Sequence, residues 1–280
     1  MRLLPALRVK RTKRIRILIM VTMASTGFVL LKSVVQKLGW DVLTMHPLFS
    51  ALVAASVFLL SFLLNGVLSD YKESEKLPGE LATALKVLAL EVKAIPIHNA
   101  RADVDEDLES IRNLTSTTLR WIKGEVSTSQ MMSCYDLTHR HVVRSSTWLP
   151  DSTLKGRLMI EMSGILRALN RIEVIRETDF SQLVYLLAYT SSFILCGSLV
   201  FVHPGTIGDM DNSWILFVLS WLLIFILHLI SDLDNPFGFS DPSSAEDVDL
   251  SILESAESTI IALCLDQAET KLKHPSHSKH

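Results

Sequence analysis

Residues 47–68, PLFSALVAASVFLLSFLLNGVL, hold no Asp, Glu, Lys or Arg over twenty-two positions. A helix rises about 1.5 Å per residue, so roughly 20 residues cross the ~30 Å of bilayer hydrocarbon. A soluble helix of this length would show a polar stripe, and this one does not. The stretch reads as a membrane span. Three more apolar runs, 17–35, 182–208 and 212–231, approach or reach the same length, and charge is excluded from 181–207 as it is from 47–69. The runs group as two pairs around a long polar middle. The fold class is therefore all-α: a multi-pass membrane protein with four transmembrane helices in two pairs and a cytoplasmic helical bundle between them.

Composition agrees with that reading. Hydrophobic residues make up 49% of the 280 and mean hydropathy is +0.33, while 20% of residues are charged and lie in the segments between spans. Net charge is −3, but in a membrane protein the distribution of Lys and Arg carries the information. The opening MRLLPALRVKRTKRIR places seven basic residues directly before the first run, which sets the N-terminus in the cytoplasm by the positive-inside rule. The run is too long for a signal-peptide core and no A-x-A site follows it. The loop around Gly39, Trp40 and Asp41 and the loop HPGTIGDMD (203–211), which lacks Lys and Arg, then fall outside. The middle and the tail fall inside. The sequon Asn113-Leu114-Thr115 faces the cytoplasm in this topology and stays unmodified.

The organisation is thus a basic cytoplasmic arm (1–16), a first transmembrane pair (17–69), a cytoplasmic helical region (70–180), a second pair (181–232) and a cytoplasmic tail (233–280). Within the middle, Leu81, Leu85, Leu88 and Val92 recur at helical spacing until Pro96 ends the helix. A second helix is expected over 105–126. A third starts after Asp151 or Ser152 and carries Leu158, Met162, Ile165, Leu169 and Ile172 in a 4-3-4-3 pattern, either bundle packing or a seam between subunits. It leads almost directly into the third span. Residues 127–150, rich in Ser, Thr and His, read as a loop or short helices. In the tail, a helix is expected from about Pro242 with Asp241 as its cap, and Leu253, Ala256, Ile260 and Cys264 line one face. Cys134, Cys196 and Cys264 form no CxxC pair, so neither a disulfide framework nor a zinc site is indicated.

Three junctions carry a family resemblance. Asn235-Pro236-Phe237-Gly238 follows the last span, Glu75-Lys76-Leu77-Pro78-Gly79-Glu80-Leu81 follows the second, and Asp179-Phe180 precedes Leu183-Val184-Tyr185 where the third begins. Together they resemble the bestrophin and bestrophin-like membrane proteins across the whole transmembrane frame. Two departures stand out. Ser69-Asp70-Tyr71-Lys72-Glu73 replaces an aromatic, arginine-rich stretch, and the acidic cluster after Asn-Pro-Phe-Gly thins to Asp241, Glu246, Asp247 and Asp249.

The resemblance implies a homopentameric ion channel, for chloride or other small anions, with both termini cytoplasmic and the second span of each subunit lining the pore at a hydrophobic neck. Physics alone is compatible with this. Four helices of one chain hardly enclose a water path, no span carries a buried carboxylate for proton or sodium coupling, and apolar rings gate by dewetting. Aligned at Leu77-Pro78, the neck positions are Val53, Val57 and Ser61. A one-residue shift gives Ala54, Phe58 and Phe62, and both registers stand open. Asn65 and Ser61 are the polar positions of the run, suited to a permeating ion or to an interhelical hydrogen bond. In calcium-gated members, acids after the junction hold calcium. Here Asp241 is near the matching position, with Ser240 and Ser243 where other acids are expected. Otherwise no cofactor is expected.

Enzymatic motifs are absent: there is no GxSxG, Walker A, HExxH or GxGxxG, and the chain is read as a non-enzyme. His139-Arg140-His141 reads as a loop pair. His228, in the fourth span, needs a partner in hydrocarbon. The basic arm sits where anionic headgroups attract it, and no nucleic-acid partner is expected. The partners are the bilayer, other copies of the chain and small ions. Two functions remain: a passive ion channel, or a non-conducting membrane scaffold or regulatory protein that keeps the frame. The plasma or inner membrane is the expected location, with an organelle as the alternative.

Overall fold

The computed structural model describes residues 3–43, 47–177, 182–203, 212–237 and 248–273. They form helices α1 (Leu3–Lys37), α2 (Pro47–Ser74), α3 (Leu77–His98), α4 (Asp105–Ile122), α5 (Thr128–Ser146), α6 (Ser152–Glu177), α7 (Gln182–Val200), α8 (Asn212–Leu233) and α9 (Ser251–Lys273). Among the described residues the only β pairing is an isolated parallel bridge between Leu43 and Val202. Among the described residues, four segments are long and apolar enough to cross a membrane: Ile15–Lys37, a stretch starting at Ser50 in α2, Gln182–Val200 and Ser213–Leu233.

The chain divides into two compact units. In the first, α1, α7 and α8 pack closely against one another. Side chains of α2 join them. Leu60, Leu63 and Val67 share a buried cluster with Ala188 and Leu195 of α7 and with Leu223 and Leu227 of α8. The ends of α1 and α7 meet on one side. There the Leu43–Val202 bridge forms, and His203 Nδ1 lies 2.9 Å from an Asp41 carboxylate oxygen. Gly39 closes α1 with φ +69°, while the Trp40 N–H donates to the Val35 carbonyl. This left-handed cap suits a residue without a Cβ.

The second unit runs from Lys72 to Glu177 and takes in α9. Its core joins α3, α4, α6 and α9, with α5 packed on α4 and α6. Leu81, Leu85, Leu88, Val92 and Ile95 of α3 are fully buried, as the helical spacing predicts. The α6 row of Leu158, Met162, Ile165, Leu169 and Ile172 is buried within the same core, so it is bundle packing. Trp121 anchors the end of α4. Its indole N–H donates to Thr128 Oγ1 at 3.1 Å, and the Arg176 guanidinium lies 5.0 Å over its ring. Ion pairs at the rim include the forked Arg171–Glu73 contact, both bonds 2.6 Å, and Arg157–Glu91.

Four sequence expectations are corrected. Residues 127–150, read as a loop or short helices, hold one long helix: α5 has 19 residues and is opened by a capping box, in which Ser127 and Gln130 bond each other's backbone. Its buried face holds Thr138, Ser145 and Ser146 beside Met131 and Val142, so hydropathy did not mark it. Pro96 does not end α3, which continues to His98. The missing N–H falls in the last turn, where little helix remains to be disrupted. The helix expected over 105–126 stops at Ile122, where Gly124 takes φ +77° and the Glu125 N–H donates to the Arg120 carbonyl. In the tail, 248–250 are not helical. The Asp249 carboxylate accepts from the Ser251 N–H at 2.9 Å where α9 starts, while Asp241 and Pro242, where the helix was expected to open, lie outside the described residues. The proposed join between α6 and the third span falls on 178–181, outside the described residues.

Gly124 carries a stability prediction. Gly124→Ala places a Cβ on a left-handed backbone with open space around it, so the cost is conformational, about 1 kcal/mol. Thermal unfolding of the full chain in detergent, followed by circular dichroism, checks this.

Candidate functional site

The second span has two unlike faces. One packs inward through Leu60, Leu63 and Val67. Val53 and Val57 lean to this side, half-buried against the same cluster. Val53 and Ser50 also line an apolar groove of about 460 Å³ with Leu199, Trp214, Val218 and Leu222. The other face is open. Ala54, Phe58, Ser61, Phe62 and Asn65 are all exposed, Phe58 at 73% and Phe62 at 68%. Spacings of 3 and 4 put them on one stripe, with the two rings a turn apart.

The two neck registers therefore separate in space. Ala54, Phe58 and Phe62 point away from the helices of their own chain, together with Asn65. Of the alternative set, only Ser61 does so, and its hydroxyl donates to the Val57 carbonyl at 2.8 Å within the helix. Asn65 has no hydrogen-bond partner among the described residues.

At the junction after α8, Asn235 is exposed while Pro236 and Phe237 are buried. Phe237 enters the core of the second unit, beside Val248 and Leu250. Gly238 and Asp241 lie outside the described residues. No group of three His, Cys, Asp or Glu side chains able to hold a metal occurs among the described residues.

Two polar groups escaped the reading of the sequence. Lys32, the single charge within the first apolar run, is 1% exposed and donates from Nζ to the carbonyls of Leu199 and Val202, each at 3.2 Å. The ammonium ties the end of α7 to α1, with a cation at the negative end of a helix. A lone Lys inside an apolar run was the available signal. The second group is Asp107 on α4, also 1% exposed. One of its oxygens lies 3.3 Å from both His141 Nδ1 and an Arg144 guanidinium nitrogen, and the other has no partner among the described residues. His141 is thus a helix-packing residue of α5, facing α4.

Burial pushes the Asp107 carboxyl above the usual carboxylate range, against the pull of Arg144 and His141. With a folded pKa above the unfolded value of ~3.9, its contribution to stability is full below that value and is lost as pH rises through the folded pKa. Asp107→Asn removes the titration. The expected result is a flatter stability profile than wild type across that window, measured as thermal midpoints from acid to neutral pH.

No family model matches the chain, and no curated protein matches it. Solved structures do. Crystal structures of two variants of a bacterial bestrophin homolog from Klebsiella pneumoniae align with TM-scores of 0.70 each, at 16% and 15% identity. They cover 90% and 89% of this chain and 99% and 98% of theirs. The chain has the bestrophin fold. A further crystal structure, described as a membrane protein, aligns with a TM-score of 0.68 at 15% identity over 89% of this chain and 98% of that one. With four apolar helices in the bestrophin fold, the chain is an integral membrane protein. At such identities the likeness concerns the path of the chain, so residue roles rest on the geometry above. Among the described spans, α2 is the one whose outward face carries two exposed phenylalanines and an asparagine.

Proposed function

We propose that the chain is the subunit of a passive ion channel, conducting chloride or other small anions, formed by a homopentameric ring with α2 toward the axis. One observation carries the reading: the exposed face of α2 combines two phenylalanine rings with an exposed amide. Against lipid, Asn65 would leave its donors and acceptors unmet at a cost of several kcal/mol. Against a water-filled axis it is solvated. Phe58 and Phe62 then form apolar rings that narrow the path and close it by dewetting, while Asn65 offers polar groups beside them. The neck register proposed is Ala54, Phe58 and Phe62. The termini and the second unit lie in the cytoplasm, following the seven basic residues before the first span.

Reconstitution into chloride-loaded liposomes tests the proposal. Ion flux dependent on the protein, with an oligomer of defined mass in detergent, is the expected result. An assembled oligomer that passes no ion overturns it in favour of a non-conducting scaffold.

A further inference from the structure

A polar seam joins α5 to α4. Ser110 Oγ lies 2.9 Å from Thr138 Oγ1, and about one turn away on each helix an Asp107 carboxylate oxygen lies 3.3 Å from both His141 Nδ1 and an Arg144 guanidinium nitrogen. The links run in opposite order along the two helices, so the seam is antiparallel. Apolar contact adds less here than elsewhere in the second unit. The residues that α3 buries, from Leu77 to Ile95, are all apolar, whereas α5 buries Met131 and Val142 beside the hydroxyls of Thr138, Ser145 and Ser146. A helix with so little apolar area at its seam opens locally at lower free energy than its neighbours.

Asp107 is the costly member of the seam. It is 1% exposed, one of its oxygens has no partner among the described residues, and a carboxylate so placed is harder to charge than one in water. Arg144 and His141 of α5 are the charges set against it, and the exposed Glu106 beside it on α4 shares Arg144 at 3.0 Å. The other charges of α4 lie on a different face. Asp105, Glu109 and Arg112 act on Cys264 of α9, and Glu257 of α9 acts on Arg112. The residues that α3 and α6 bury are all apolar.

We infer that Asp107 and His141 form a proton-operated latch between α4 and α5: proton uptake tightens α5 on the second unit, and proton loss loosens it. Burial holds the Asp107 carboxyl above its ordinary range against the pull of Arg144 and His141, so the closed seam binds a proton more tightly than the open one. The stabilisation is full below the unfolded value of ~3.9 and is lost as pH rises through the folded pKa. A proton on His141 acts in the same sense while the carboxylate is charged, because it sets a cation beside a buried anion. Once the carboxyl is neutral, His141 and Arg144 both reach water, at 22% and 56% exposure, and their repulsion is screened. The latch is independent of whether the chain conducts.

Hydrogen–deuterium exchange of the full-length protein in detergent, read by mass spectrometry, tests the inference. Rates at about pH 4.5 and about pH 7 are each divided by the intrinsic rate at that pH, and α5 is compared with α3. In the wild-type chain, protection of α5 is expected to be at least several-fold higher in acid, while that of α3 stays level. Asp107→Asn keeps the shape of the side chain and removes its charge, so α5 protection is expected to be the same at both pH values. His141→Gln is expected to shrink the response without abolishing it. Wild-type α5 protection that does not rise in acid overturns the latch without reference to any variant. So does a rise shared equally by α3, or an undiminished response in an Asp107→Asn protein whose helicity matches wild type.

Discussion

Replacing Phe58 and Phe62 together by alanine is expected to raise ion flux through the reconstituted protein by about tenfold or more, equivalent to lowering the barrier by at least ~1.4 kcal/mol. Both rings are largely exposed on the outward face of α2, so their removal leaves the packing of Leu60, Leu63 and Val67 intact. A phenyl ring at a constriction resists wetting, and a methyl group in its place widens the path and lets water and ions through. Flux per oligomer, from liposomes matched for protein content, is the measurement. Unchanged flux in the double variant would remove these residues from the neck. A rise in Val53→Ala instead would assign the neck to the face that leans on α7 and α8.

The second large effect concerns stability. Trp121→Ala is expected to destabilise the second unit by about 3–5 kcal/mol, the range for truncating a large buried aromatic. Trp121 is 1% exposed, and its loss leaves a cavity at the end of α4, strips Thr128 of the indole N–H and removes the ring beneath Arg176. Trp121→Phe keeps most of the packing and forfeits chiefly the hydrogen bond, about 1 kcal/mol. Circular dichroism of the full chain during thermal unfolding distinguishes the two. An alanine variant no weaker than the phenylalanine variant would show that the site collapses around the smaller side chain.

The spans were legible because hydropathy is a local property. A run such as 47–68 excludes charge wherever it sits in the fold, and α2 forms there and continues to Ser74. Helices with a clean apolar row, α3 and α6, were legible for the same reason. By contrast, α5 buries small hydroxyl side chains that satisfy themselves against their own or neighbouring backbone, as Thr138 does with the Cys134 and Ser110 carbonyls. Such a face carries no apolar period. The non-helical residues 248–250 before α9 carried no mark either, because their conformation depends on where Val248 and Leu250 are buried in the second unit.

By itself, then, the sequence determined the helical class, the four apolar spans and the basic side of the first, all consequences of composition along the chain. Only the tertiary structure decided which way each span faces. An all-apolar helix has no polar stripe to orient it, so the outward turn of Phe58, Phe62 and Asn65 follows from where α7 and α8 pack against the opposite side. The same holds for Lys32 and Asp107. Whether a buried polar group meets a carbonyl or a guanidinium is settled by neighbours far away in sequence.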